Sequence, residues 1–203
     1  MIADDRRAAQ PSPIKGGVFV AVVGASGAGK DTLINHAKDR FEGETTIVFA
    51  RRAITRASDR SREDHDTLSG EEFERRERDG GFALSWEAHG LRYGIPASTD
   101  EAMRGGKIVV ANLSRGAIPR LRRRYGNVRI VLVTATPETL ARRLAARDGE
   151  SGNDLRERIA RGSDAALAVE GAHVIENDGT PEEAGESFVS LLRRFMGQPT
   201  HQE

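Results

Sequence analysis

The chain has 203 residues, 31 Lys and Arg against 31 Asp and Glu, a hydrophobic fraction of 37% and no Cys. That length and composition suit one globular domain with room for a small inserted lobe, and they exclude a wholly disordered chain. A formal charge of zero argues against a protein whose main task is coating nucleic acid or an anionic membrane, and the lack of Cys excludes disulfides, thiolate catalysis and Cys–zinc sites.

Only four basic residues are Lys: Lys15, Lys30, Lys38 and Lys107. Arg holds phosphate bidentately, so the bias suits phosphate recognition, although solvated surface arginines give the same bias.

In chain order, residues 1–16 read as a flexible tail, polar and without the apolar stretch of a signal peptide. The longest apolar run, Val18 to Val23, is too short to span a membrane. It is apolar on both faces, as a central parallel strand covered by helices requires. We therefore expect a soluble cytoplasmic protein with no membrane or nucleic-acid partner. A Gly-rich turn follows, then a helix from Asp31 to Arg40 with Leu33, Ile34 and Ala37 on one face, and a strand signal at Thr46 to Phe49.

From Arg51 to Pro96 the texture turns polar and Arg-rich, and we read residues 51–96 as an inserted lobe. It holds one clear helix start, Ser69-Gly70-Glu71-Glu72, with the spacing of a capping box. Strand signals resume at Ile108 to Val110 and Ile130 to Val133. The second precedes Thr136-Pro137, a cap residue with Pro at the first helical position, and in that helix Leu140 and Leu144 are i,i+4 partners. A last strand, His173 to Ile175, leads through Asn177-Asp178-Gly179 to a helix opened by Thr180-Pro181-Glu182-Glu183, with Phe188, Leu191, Leu192 and Phe195 towards the core. Residues 198–203 read as a tail. The alternation predicts an α/β domain over residues 17–197 with a mainly parallel sheet flanked by helices.

The strongest chemical signal is Gly24-Ala25-Ser26-Gly27-Ala28-Gly29-Lys30, which fits G-x-x-x-x-G-K between a buried strand and a helix. Its glycines let backbone N–H groups turn inward around phosphates, and the helix start adds a positive dipole end. Lys30 would reach the β- and γ-phosphates of ATP. Where Ser or Thr normally serves Mg2+, this chain has Asp31, followed by Thr32. Two readings of Asp31 stay open: a carboxylate holding the ion directly or through water, or a helix N-terminal acid without a metal role.

These residues resemble those of guanylate-kinase-like P-loop kinases. The loop Gly24 to Lys30, Arg52-Ala53-Ile54-Thr55-Arg56, Gly90-Leu91-Arg92-Tyr93-Gly94, the pair Arg147 and Arg158, and Asn177-Asp178 occur in that family's order. The resemblance implies a P-loop NTPase core with an inserted acceptor-binding lobe and a lid over residues 140–161. It places Arg56 and Tyr93 on the accepting phosphate and Arg147 and Arg158 in the lid. Exposed helix arginines and a packed Tyr93 are the plainer alternatives.

Departures from the family narrow the acceptor. Guanylate kinases read the purine with a Glu just before the Tyr segment, where the alignment puts Ser85 beside Trp86. Their Ser four residues before the acceptor Arg is Arg52 here, and their acidic pair after the middle strand is absent from Ala111-Asn112-Leu113-Ser114-Arg115-Gly116. A pocket that loses acceptors and gains donors suits sugar oxygens and a second phosphate. That combination resembles the ribose 1,5-bisphosphate phosphokinase family, with Gly-Lys-Asp at 29–31, Leu-Ser-Trp at 84–86 and Ser-Arg at 114–115. The resemblance implies ATP as donor, Mg2+, a small sugar phosphate as acceptor, and Arg52, Arg56, Tyr93, Ser114 and Arg115 as its binding residues. A nucleoside monophosphate kinase and a non-catalytic binding module of the same fold are the rivals. Of the remaining signals, His65 and His89 read as polar loop residues, and Arg120, Arg122, Arg123 and Arg124 as a solvated helix face. The sequence leaves oligomeric state open.

Overall fold

A computed structural model describes residues 12–56, 65–148 and 169–197. Its main sheet has five strands, all parallel, in the order β2-β7-β1-β8-β9. These are β1 (Val18–Gly24), β2 (Ile47–Phe49), β7 (Ile108–Asn112), β8 (Val128–Thr134) and β9 (Ala172–Glu176). The valines of β1 are buried because helices cover both faces of the sheet. On one face α1 (Lys30–Arg40) and α6 (Pro181–Met196) close over Val18, Val20 and Val22 with Leu33, Ile34, Phe188 and Leu192. On the other, Phe19, Ala21 and Val23 pack with Met103 of α3 (Ser98–Arg104) and with Leu121 of α4 (Ile118–Arg124). Because the strands are parallel, their C-terminal ends share one rim, where ligands of open α/β sheets bind.

The stretch 51–96 folds as a second sheet of order β4-β3-β6-β5: β3 (Arg52–Ile54), β4 (His65–Thr67), β5 (Phe82–Ala88) and β6 (Leu91–Pro96), with α2 (Gly70–Arg78) beside it. The β5–β6 hairpin turns on His89 and Gly90, at φ 53° and 70°, the pair of positive φ angles that a two-residue type I′ turn needs. Leu84 and Trp86 point from this sheet into the core under β7 and β1, while Phe82 stacks on Phe73 of α2. The capping box expected at Ser69/Glu72 is closed by reciprocal hydrogen bonds, and Thr180 and Glu183 at the start of α6 form a second one. The helix after β8 is α5 (Pro137–Asp148).

Two local readings are corrected. His65 is a buried residue of β4, not a loop residue. The arginine cluster is not simply solvated: Arg124 donates from Nε (3.0 Å) and Nη2 (2.5 Å) to the buried Asp100, tying α4 to α3, and Arg120 and Arg122 donate to the carbonyls of Ser85 and Glu170. Within the segment expected as an N-terminal tail, Ile14 donates to the Arg124 carbonyl and accepts from Gly126 N–H.

Candidate active site

The β1–α1 loop has the shape its glycines promise. Gly24 and Gly29 sit at φ 150° and 93°, in the region L side chains avoid. A Cβ on Gly24 would collide with the Val133 carbonyl, and one on Gly29 with the Asn177 amide. Gly29 caps α1 from the left-handed region. Ser26 and Thr32 are exposed and Ala28 is buried. Lys30 donates from Nζ to the carbonyls of Gly24 (2.9 Å) and Ala25 (2.7 Å), so its ammonium lies across the opening of the loop.

The rear wall of this loop comes from the end of β9. Asn177 is buried, and its Nδ2 donates to the Ala28 carbonyl at 2.7 Å. Asp178 accepts from both the N–H and the hydroxyl of Thr136, each at 2.8 Å, which joins the β9–α6 corner to the start of α5. The Thr136 backbone and side-chain hydrogen bonds hold the Asp178 carboxyl below the usual range, so it stays ionised. Arg143 of α5 brings Nη1 to 3.8 Å from where a Gly29 Cβ would stand, and this buried nitrogen has no partner among the described residues. A buried guanidinium nitrogen without an acceptor, beside a phosphate loop, is suited to an anionic oxygen.

Beside the loop, contacts run from α1 across the second sheet to the end of β7. Asp31 Oδ1 accepts from Asn112 Nδ2 at 2.8 Å and lies 3.9 Å from an Arg52 guanidinium nitrogen. The Arg52 guanidinium lies over the Tyr93 ring, 5.8 Å from its centroid. Tyr93 in turn stacks on Trp86, with centroids 5.3 Å apart and planes within 9°. Trp86 Nε1 donates to Ser114 Oγ at 2.7 Å, just before the 3-10 turn Arg115–Ala117. Asp31, Arg52, Tyr93 and Ser114, far apart in sequence, are thereby brought together.

Arg115 opens the 3-10 turn and is half-buried, and Arg56 follows β3, also half-buried. Arg147 lies in the last turn of α5, but its side chain falls outside the described residues, as does all of Arg158. The alignment puts Ser85 at the purine-reading position. Ser85 faces α2, where its hydroxyl donates to Glu77, and the β5 residue facing the core and Tyr93 is Trp86. Reading residues one at a time also passed over Asn112 and Arg143 as parts of the site, and Asn177 entered only through the resemblance. The alternation Leu84-Ser85-Trp86-Glu87 carried a signal for Trp86, since apolar residues two apart share a strand face.

Among the described residues no helix is long and apolar enough to cross a membrane, and no group of three His, Asp or Glu could hold a metal ion. A solved guanylate kinase from Anaplasma phagocytophilum superposes with a TM-score of 0.68 at 20% identity, covering 93% of this chain and 90% of that one. The loop on the rim of a parallel sheet, with this overall match, gives the chain a guanylate-kinase-like α/β fold. No protein-family model matches the chain. It is 49% identical over 187 residues to the ribose 1,5-bisphosphate phosphokinase PhnN of Chelativorans sp. (strain BNC1), covering 91% of this chain and 88% of that protein. The corresponding protein of Agrobacterium fabrum is 40% identical, covering 88% and 98%. The chain belongs to the ribose 1,5-bisphosphate phosphokinase family, and it is a kinase that takes its phosphoryl group from a nucleotide.

Proposed function

We propose that this protein transfers the γ-phosphoryl group of ATP to the 1-phosphate of ribose 1,5-bisphosphate, giving 5-phosphoribosyl 1-diphosphate and ADP in the cytoplasm. The observation that carries the reading beyond family membership is the contact chain Asp31–Arg52–Tyr93–Trp86–Ser114, which joins the nucleotide loop to a donor-rich acceptor surface. An oxygen of the acceptor phosphate attacks the γ-phosphorus as the bond to the β–γ bridging oxygen breaks. A phosphate monoester loses its second proton near pH 6, so this oxygen is already anionic at neutral pH and no general base is needed.

Catalysis then rests on positioning and charge. The loop from Gly24 to Gly29, with Lys30 and Thr32, holds the ATP phosphates, and Arg143 Nη1 takes an oxygen beside Gly29. Arg147 and Arg158 bridge donor and acceptor, while Arg52, Arg56, Tyr93, Ser114 and Arg115 hold the bisphosphate. Asn112 and Arg52 both approach Oδ1 of Asp31, which leaves Oδ2 without a protein partner among the described residues. One open carboxylate oxygen beside a triphosphate site fits Mg2+, which binds through one or two carboxylates plus substrate phosphates. When bound, the ion would neutralise charge on the phosphates in transfer.

The test is incubation of the purified protein with ATP, Mg2+ and a panel of sugar and nucleoside phosphates, with the product identified by mass. A product of ribose 1,5-bisphosphate heavier by one phosphoryl group is expected. Turnover of GMP alone overturns the proposal.

A further inference from the structure

Trp86 is the only Trp of the chain and is 7% exposed. It stands on β5 directly opposite Tyr93 on β6, so the two side chains share the strand face turned to the main sheet. An indole has one hydrogen-bond donor and no acceptor. Here that donor meets Ser114 Oγ at 2.7 Å, so Trp86 has no further polar group to offer. Ser114 acts as the acceptor in this bond, and its own proton is turned elsewhere.

A nucleotide acceptor would need a flat slot against an aromatic wall, and a guanine would need acceptors for its N–H edge. The Tyr93 ring already carries the indole of Trp86 and lies under the Arg52 guanidinium. The polar side chains next to Trp86 on β5 point the other way. Ser85 donates to Glu77 on α2, and Glu87 lies 3.7 Å from Arg92 Nε. No acceptor from β5 is therefore offered beside Tyr93.

We infer that Trp86 is the specificity-determining residue of the acceptor site. Its indole takes the room and the stacking surface a nucleobase would use, and its N–H sets the Ser114 hydroxyl to donate to an oxygen of a base-free pentose phosphate. The inference rests on the proposed reaction and names the side chain that chooses its acceptor.

The experiment compares steady-state kinetics with ribose 1,5-bisphosphate and with GMP for the wild type, Trp86→Phe and Trp86→Gln, with thermal melts of all three. Trp86→Phe keeps a ring on Tyr93 and removes the N–H. It should still refuse GMP, raise the KM for ribose 1,5-bisphosphate by about three- to tenfold and leave the KM for ATP unchanged, the size expected for one lost hydrogen bond. Trp86→Gln opens the slot and supplies an acceptor, and kcat/KM for GMP should rise at least about tenfold. General damage to the fold does not create activity on a new acceptor. An unchanged acceptor KM in Trp86→Phe, or a folded Trp86→Gln with unchanged GMP turnover, overturns the inference. Should Trp86→Gln fail to melt cooperatively, the Phe variant decides alone. A wild type without turnover on ribose 1,5-bisphosphate overturns the reaction itself, whereas a normal wild type with indifferent variants overturns only the role of Trp86.

Discussion

Asn112, the last residue of β7, donates from Nδ2 to Oδ1 of Asp31 in the first turn of α1, at 2.8 Å. Asn112 is 7% exposed, so this bond satisfies a buried amide while it pins the carboxylate beside the phosphate loop. Arg52 approaches the same oxygen from the second sheet. The carboxylate is thus tied through one oxygen to the end of β7 and to the second sheet, which makes its orientation a property of the closed fold rather than of α1 alone.

If that orientation serves Mg2+, then Asn112→Ala should raise the Mg2+ concentration for half-maximal activity roughly tenfold, as loss of a partner behind a metal ligand commonly does. Activity at saturating Mg2+ should return close to that of the wild type. Asp31→Ala should shift the curve further. A magnesium titration on each variant checks both, and an Asp31→Ala curve superimposed on the wild type removes the carboxylate from the metal.

Lys30 spans the mouth of the loop through two backbone carbonyls, and in the proposed reaction its loss removes a cation from the place where charge develops. Lys30→Ala should lower kcat by about 10²–10³-fold, the order found when one preorganised transition-state donor is removed. The melting temperature should barely move, since the side chain adds nothing to either hydrophobic cluster. Near-normal turnover would take the phosphate loop out of the mechanism.

The phosphate loop was legible in the sequence because its chemistry depends on local spacing: glycines where φ turns positive and Lys30 directly after Gly29. The capping box at Ser69 was legible for the same reason. What needed the fold was every role that depends on which way a strand faces. Ser85 and Trp86 are neighbours, and a shift of one residue along β5 exchanges the face towards α2 for the face towards Tyr93. The pairing of Trp86 with Tyr93 decides this, and pairing is a long-range fact. Asn112 and Arg143 are likewise ordinary polar residues until β7 and α5 set them around the loop, and Asn177, quoted for the resemblance, gains its contact with Ala28 only in the fold.

Gly29 and Asn177 make a coupled pair that can be tested from both sides. Gly29→Ala would put a methyl group against the Asn177 amide at a φ of 93°, so the loop must shift and the bond from Asn177 Nδ2 to the Ala28 carbonyl must break. Asn177→Ala breaks the same bond without strain and leaves a buried carbonyl unpaired, at a cost of about 1–3 kcal/mol. Both should lower the urea midpoint and weaken ATP binding measured by calorimetry, with the larger effect from Gly29→Ala. Equal ATP affinity in wild type and Asn177→Ala would sever Asn177 from the nucleotide site.

The bond between α3 and α4 gives the fold a pH signature at both ends of the scale. Burial works to raise the Asp100 carboxyl, but hydrogen bonds from Arg124 and from the Tyr125 hydroxyl (2.7 Å) outweigh it and hold the group below the usual carboxylate range. The unfolded chain therefore binds this proton more readily. The contribution of Asp100 is fully present above the unfolded value of about 4 and is lost as pH falls through the lower folded value. Tyr125 behaves oppositely. Burial pushes its hydroxyl up to about 12. Its contribution is intact below the unfolded value of about 10 and disappears as pH rises from there through the folded one. Urea midpoints measured against pH should fall at both ends. Tyr125→Phe should flatten the alkaline limb and keep much of the acid one, while Asp100→Asn should flatten the acid limb on a less stable protein. An alkaline slope unaltered in Tyr125→Phe would place that titration in some other group and detach Tyr125 from the network.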